Sequence, residues 1–272
     1  MKKLIEAVCW KPFLLALTVS GGFVFGGEPD PALRAQAVSA KIANHPLSPI
    51  LETAYRVREN VAQIKDYSCV FVKRERIEGK LGEYEYLSMK VRHEPFSVYT
   101  KFLGPESAKG KEALYVAGRN NGQLLAHGTG FQKLAGTLSL DPRGSWAMKG
   151  NRYPLTEAGM LNLIDRLTHG MEQDLSHLEC DVHTFSSKID GRACTGIQII
   201  HPHPRKHFQY FLARFYIDDQ LQLPVRSEVY DWPEKSGQPP VLMGEYTFTQ
   251  LKLNPGFTDL DFDTKNPAYS YP

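Results

Sequence analysis

The chain has no surplus of either charge. Lys and Arg number 32 against 30 Asp and Glu over 272 residues, whereas a nucleic-acid-binding surface normally shows a clear basic excess. Cysteine is sparse at four residues, with none in a Cys-x-x-Cys or comparable metal spacing. Gly-x-Ser-x-Gly, His-Glu-x-x-His and Ser-x-x-Lys do not occur, which removes the local signatures of several hydrolase classes. Lys109-Gly-Lys-Glu112 has a single glycine and no strand–loop–helix setting, so it is not a phosphate loop. Strands and helices do not alternate as βαβ units, and no repeat recurs. With no recognisable catalytic constellation, the expectation is a protein that is not an enzyme and carries no cofactor.

A hydrophobic content of 42% with 11% aromatics supports a sizeable core. The first residues read as a leader. Met1-Lys2-Lys3 and Lys11 give a positive start, Pro12 to Phe25 is apolar, and Gly26-Gly27 offers small residues for cleavage. An uncleaved anchor is the rival, but this stretch is short for a span and contains Gly21-Gly22. No other segment reaches membrane-spanning length. The organisation read from this is a signal peptide over 1–27, a linker over 28–47 and a single domain over 48–272. The destination is the periplasm or cell envelope, with peripheral membrane contact at most. Cys9 precedes the apolar stretch, where a lipoprotein acceptor would not sit.

A helix is expected from Ser48, the candidate N-cap, with Pro49 in its first turn and Ile50, Ala54, Val57, Val61 and Ile64 on one face. The period then changes to two. Tyr67 to Ile77, Glu83 to Arg92 and Phe96 to Leu103 read as strands, and the turn at Glu94-Pro95 sets Val91 against Val98, Met89 against Thr100 and Leu87 against Phe102. Lys111 to Ala117 and Gln123 to His127 read as a hairpin, and Phe131 to Leu140 as either strand or short helix. A second helix is expected over 156–170, with Thr156 as N-cap, Met160, Leu161, Ile164 and Leu167 on one face, and Gly159 as a weak point. Further strands fall at 179–189, 192–200, 207–217, 223–232 and 241–253. About ten strands and two helices make a mainly β (α+β) fold, a large antiparallel sheet that tends to curl.

The two-residue turn Asp190-Gly191 sets Ser187 opposite Cys194 and Asp181 opposite Ile200. Cys180 and Cys194 then point to opposite faces, so Cys69, Cys180 and Cys194 are expected as small buried hydrophobes, not disulfide partners. His201, His203 and His207 could ligate a metal, which would suit a metal-dependent hydrolase. The prolines between them favour a solvated, stiff loop. Lys73-Arg-Glu-Arg76 reads as a solvated strand face or a protected sheet edge, or else as a docking patch. Arg226, Glu228 and Tyr230 share a face and suggest a structural polar ladder.

Four segments together resemble an uncharacterised exported bacterial family, DUF1571. They are Tyr67-Ser-Cys-Val-Phe71, Met89 to Pro105 with Lys109 to Tyr115, Leu223 to Pro233, and Glu245 to Tyr269. The resemblance supplies no catalytic residues. More distantly, the helix and following sheet resemble the LolA/LolB-like lipoprotein carriers. That likeness implies a curved half-barrel whose concave face, lidded by helices, takes acyl chains. In those carriers an arginine just before a proline matters for transfer; here Arg92 stands two residues further from Pro95 and on the polar face.

The one-sided apolar stripe Leu87, Met89, Val91, Val98 and Phe102 is the candidate ligand lining, and core packing uses the same residue types. The reading is an exported non-enzymatic binding protein for a lipid, acyl chain or lipidated peptide. Its rival is an envelope-assembly protein that docks a protein partner.

Overall fold

The computed structural model describes residues 44–177 and 179–272, apart from the side chains of residues 131–133. The expected leader, and all of the linker before residue 44, lie outside the described residues.

The period-two segments form β1 (Asp66–Ile77), β2 (Lys80–Leu81), β3 (Glu85–Arg92), β4 (Ser97–Gly104), β5 (Glu112–Val116), β6 (Leu124–His127), β7 (Leu138–Leu140), β8 (Asp181–Ile189), β9 (Arg192–Ile200), β10 (Leu212–Asp218), β11 (Pro224–Asp231) and β12 (Val241–Leu253). Helices α1 (Ser48–Ala62), α2 (Ser145–Met148) and α3 (Met160–Asp174) interrupt them. All strands join one antiparallel sheet in the order β7-β6-β5-β4-β3-β1-β12-β11-β10-β9-β8, with β2 paired to β1. The architecture is two meanders, β3 to β7 and β8 to β12, sewn together where β1 pairs with β12. Among the described residues there are twelve strands where about ten were expected, because β2 and β7 are too short to carry a periodic signal. The ambiguous Phe131 to Leu140 stretch becomes a 3-10 turn at Gly130–Ala135 followed by β7.

Hairpin registers follow the alternation. Leu87 lies opposite Phe102, Met89 opposite Thr100 and Val91 opposite Val98, while Ser187 lies opposite Cys194 and Asp181 opposite Ile200. Register shifts in the β1–β12, β3–β4, β10–β11 and β11–β12 pairs insert extra residues that bend and coil the strands.

Helices α1 and α3 cover one face, called inner here. The core joins Ile50, Leu51, Ala54, Val57 and Val61 of α1 and Met160, Leu163, Ile164 and Met171 of α3 to Tyr67, Met89, Val91, Ile197, Phe215 and Phe248 of the sheet. Helix α1 begins as expected at Ser48, although Leu47 is its cap residue. Helix α3 begins four residues later than expected, and its N-cap is Gly159, not Thr156. Gly159 has φ +99, and a Cβ there would lie 2.9 Å from the Tyr67 hydroxyl, so glycine is required for both conformation and space. The buried stripe of α3 is also rotated from the expected one. Leu163, Thr168 and Met171 are buried, and Leu161 and Leu167 sit at its margins.

The outer face of the first meander is covered by the C-terminal segment. Phe257, Phe262, Tyr269 and Tyr271 pack on Tyr99, Leu114, Val116 and Leu125, and the Tyr99 and Tyr269 rings stack with centroids 3.8 Å apart. Lys90 pairs with Asp261 and Arg92 with Asp259, both at 2.8 Å. The expected polar face of this hairpin is thus clamped under the chain's last residues.

Candidate functional site

Of the apolar stripe, Leu87, Met89, Val91 and Val98 are buried, and Phe102 is half-buried. Met89, Val91 and Val98 belong to the core beneath α1 and α3. Val91 also lines a half-open cavity of about 330 Å³, together with His93, Phe96, Thr156, Ala158, Gly159, Leu161 and Asn162.

This cavity exists because two chain reversals meet. The β3–β4 connection brings His93 and Phe96, and the approach to α3 brings Thr156 to Gly159. Tyr67 fixes the second wall: its hydroxyl accepts the Met160 amide hydrogen at 2.8 Å, which seats the start of α3 against β1. Val91, Phe96, Ala158 and Leu161 supply apolar lining. Its polar lining is His93, whose two ring nitrogens are buried without a hydrogen-bond partner, together with Thr156 and Asn162. Asn162 Nδ2 donates to the Ala158 carbonyl at 2.9 Å. Burial holds the His93 imidazole below its ordinary pKa, against the opposing pull of the Ile64 carbonyl and the Asp66 carboxylate. At neutral pH the walls carry no charge, and the cavity suits an uncharged apolar group at the small end of ligand-pocket sizes, about 300–1,000 Å³. Stripe reasoning missed His93, Phe96 and Ala158. Leu161 was legible as part of the apolar helix face and Phe96 as the start of an expected strand, but His93 and Ala158 carried no periodic signal.

The histidine stretch is the solvated loop expected over 202–207, all exposed, but not at its first residue. His201 is fully buried. Its Nδ1 lies 3.0 Å from the Tyr210 carbonyl and its Nε2 3.2 Å from Asp174 Oδ2 at the end of α3, and it stacks on Phe208. His207 stacks on His177, and His203 is exposed. Among the described residues no three His, Cys, Asp or Glu side chains gather as a metal-binding group. The burial of His201 comes from aromatic stacking that its flanking prolines did not announce.

Lys73-Arg-Glu-Arg76 also departs from expectation. Strand β1 lies between β3 and β12 and is no edge. Lys73 and Glu75 are buried on the inner face. Lys73 Nζ contacts Glu75 at 2.8 Å, Glu85 at 3.0 Å and Asn151 Oδ1 at 2.6 Å, and Tyr246 donates to Glu75 at 2.7 Å. Every Lys73 donor has a partner, so the cluster ties the 145–153 segment to the sheet and presents no free group.

Arg226, Glu228 and Tyr230 form a ladder on the outer face. Arg226 Nε donates to Glu228 at 2.7 Å, and its other nitrogens reach Thr247 and Glu245. Tyr216 and Tyr230 donate to the two Glu228 oxygens at 3.1 and 2.8 Å. Burial would raise the Glu228 pKa, but these hydrogen bonds outweigh it and hold the carboxyl below its ordinary 4.5. Lys109 pairs with Glu106 at the surface. Glu112, in contrast, is buried beneath Lys101 and the Ser270 amide.

No curated protein sequence matches this chain. Solved structures similar in outline include a DUF1329 family protein from Desulfovibrio piger, at 14% identity and TM-score 0.41, covering 81% of this chain and 98% of that one. Mycobacterium tuberculosis lipoprotein LppX is similar at 16% identity and TM-score 0.44, over 79% and 98% of the two chains. A LolA superfamily protein from Nitrosomonas europaea matches at 11% identity and TM-score 0.33, over 77% and 97%. At these scores no residue role transfers. A family model does match residues 64–271, most of the sequence, and the chain therefore belongs to the family described as protein of unknown function, DUF1571.

Proposed function

We propose that this protein is an exported, non-catalytic binding protein of the cell envelope that holds an uncharged apolar group, such as the end of an acyl chain or lipid tail. The observation that carries this reading is the cavity at the start of α3, with Val91, Phe96, Ala158 and Leu161 as its apolar wall. The stripe residues Met89 and Val98 pack in the same core as Val91, whereas Leu87 and Phe102 lie further along the hairpin. Because α1 and α3 pack on the core of the inner face and the 145–153 segment ties to its Lys73–Glu75 end, the binding mode is insertion of one short apolar segment.

Mass spectrometry of lipid extracts from the purified protein, paired with uptake of a fluorescent fatty acid, tests this. Uptake that disappears in Ala158→Trp, where the indole fills the cavity, is the expected result. Reproducible lack of any co-purifying hydrophobe together with no uptake, or uptake unchanged by Ala158→Trp, overturns the reading.

A further inference from the structure

We propose that β8 is a self-association edge through which two copies of this chain join into one continuous sheet. Among the described residues the sheet has two terminal strands. One, β7, is three residues long, the short form that natural edges take to avoid pairing. The other, β8, is nine residues long. It contains no proline or glycine, and its register with β9 runs unbroken from Asp181 opposite Ile200 to Ile189 opposite Arg192. Asp181, His183, Thr184, Phe185, Ser186 and Lys188 are exposed. The charges stand near the two ends, with Lys188 the one lysine of the kind that blunts an edge, and the middle is neutral.

The backbone tells which groups of β8 are open. The Asp219 amide donates to the Ala193 carbonyl at 3.1 Å, so Ala193 directs its polar groups toward β10. Lys188, opposite Ala193, therefore directs its own away from β9. Antiparallel ladders alternate residue by residue, and Val182, Thr184 and Ser186 likewise face outward. A second strand must offer the same set.

A second copy of β8 does so in one register that overlaps all nine residues. Phe185 then lies on the two-fold axis, Thr184 faces Ser186 of the second copy, Val182 faces Lys188, and Asp181 faces Ile189. No like charges are opposed, and about eight backbone hydrogen bonds form. Sliding by two residues shortens the overlap and sets Phe185 against His183 or Ser187. Phe185 is prepared for this contact. It is 37% exposed on the outer face, propped edge-on against Tyr216, and seated over Gly196, where any Cβ would collide with its ring. A two-fold contact of one patch with itself is the commonest form of protein oligomer.

Sedimentation equilibrium of the purified protein should show a dimer at micromolar concentration. Ser186→Pro removes an outward amide and spares the β9 ladder, so it should give a monomer with unchanged circular dichroism and melting temperature. Phe185→Cys should form a disulfide-linked dimer under mild oxidation, while His183→Cys should not. A protein monomeric at every concentration, a dimer indifferent to Ser186→Pro, or cross-linking through His183→Cys in place of Phe185→Cys overturns the proposal. Should Ser186→Pro fail to fold, the cysteine pair decides.

Discussion

The Tyr67 hydroxyl accepts the Met160 amide hydrogen at 2.8 Å, and the same oxygen lies 2.9 Å from where a side chain on Gly159 would begin. One phenol therefore satisfies the first amide of α3 and dictates the residue before it. Tyr67→Phe leaves a buried donor without a partner, at a cost of about 1–3 kcal/mol. Gly159→Ala adds a clash and a disfavoured positive φ, together about 1–3 kcal/mol. Urea unfolding of the two single variants and the double should show that they do not add, with the alanine costing less in the Tyr67→Phe background.

The ladder on β11 predicts a pH dependence. The Glu228 carboxyl is held below 4.5 in the folded protein. A depressed carboxylate gives stability that is fully present above the unfolded value and is lost as pH falls through the folded one. Arg226→Met strands the buried Glu228 and Glu245 carboxylates and should cost about 3 kcal/mol at neutral pH. That deficit should shrink as the pH is lowered toward and through the ordinary carboxylate range, because without Arg226 the buried Glu228 takes up a proton more readily. Denaturant midpoints measured across this range check the sign; a deficit that grows in acid contradicts the ladder.

The thiols make a simpler prediction. Cys69, Cys180 and Cys194 are free and buried. Burial pushes the Cys180 thiol up to about 11 and raises those of Cys69 and Cys194 as well. None should react with a disulfide reagent at mildly alkaline pH in the folded state, and all three should react at once in denaturant.

Removing residues 257–272 should uncover Tyr99, Leu114 and Val116 on the outer face and leave Lys90 and Arg92 without Asp261 and Asp259. The expected outcome is increased binding of a hydrophobic dye and a lowered melting temperature, with the α1–α3 side of the sheet retained.

Much of this fold is legible in the chain because it is local. The Asp190-Gly191 and Glu94-Pro95 turns determine their hairpin registers within a few residues, and alternation then assigns Cys180 and Cys194 to opposite faces. What escapes is non-local. Lys73 and Glu75 look solvated by residue type, yet they are buried because Glu85, Asn151 and Tyr246 arrive from distant segments to pair with them. His201 looks like loop chemistry and is core, because Phe208 and Asp174 close over it. For the cavity, Val91, the helix residue Leu161 and Phe96, at the head of an expected strand, carried a periodic signal, whereas His93 and Ala158 sit in connections, where no periodicity marks them.

The seam between β1 and β12 has a consequence for biosynthesis. The two meanders are each built from neighbours in sequence, but the strands that unite them are separated by nearly the whole described chain. Contacts of such long sequence separation form late and slowly. The first meander, with α1 and α3, must wait with one flank of β1 bare until Val241–Leu253 has been made. A chain wired in this way cannot close its sheet until its last strand has been made.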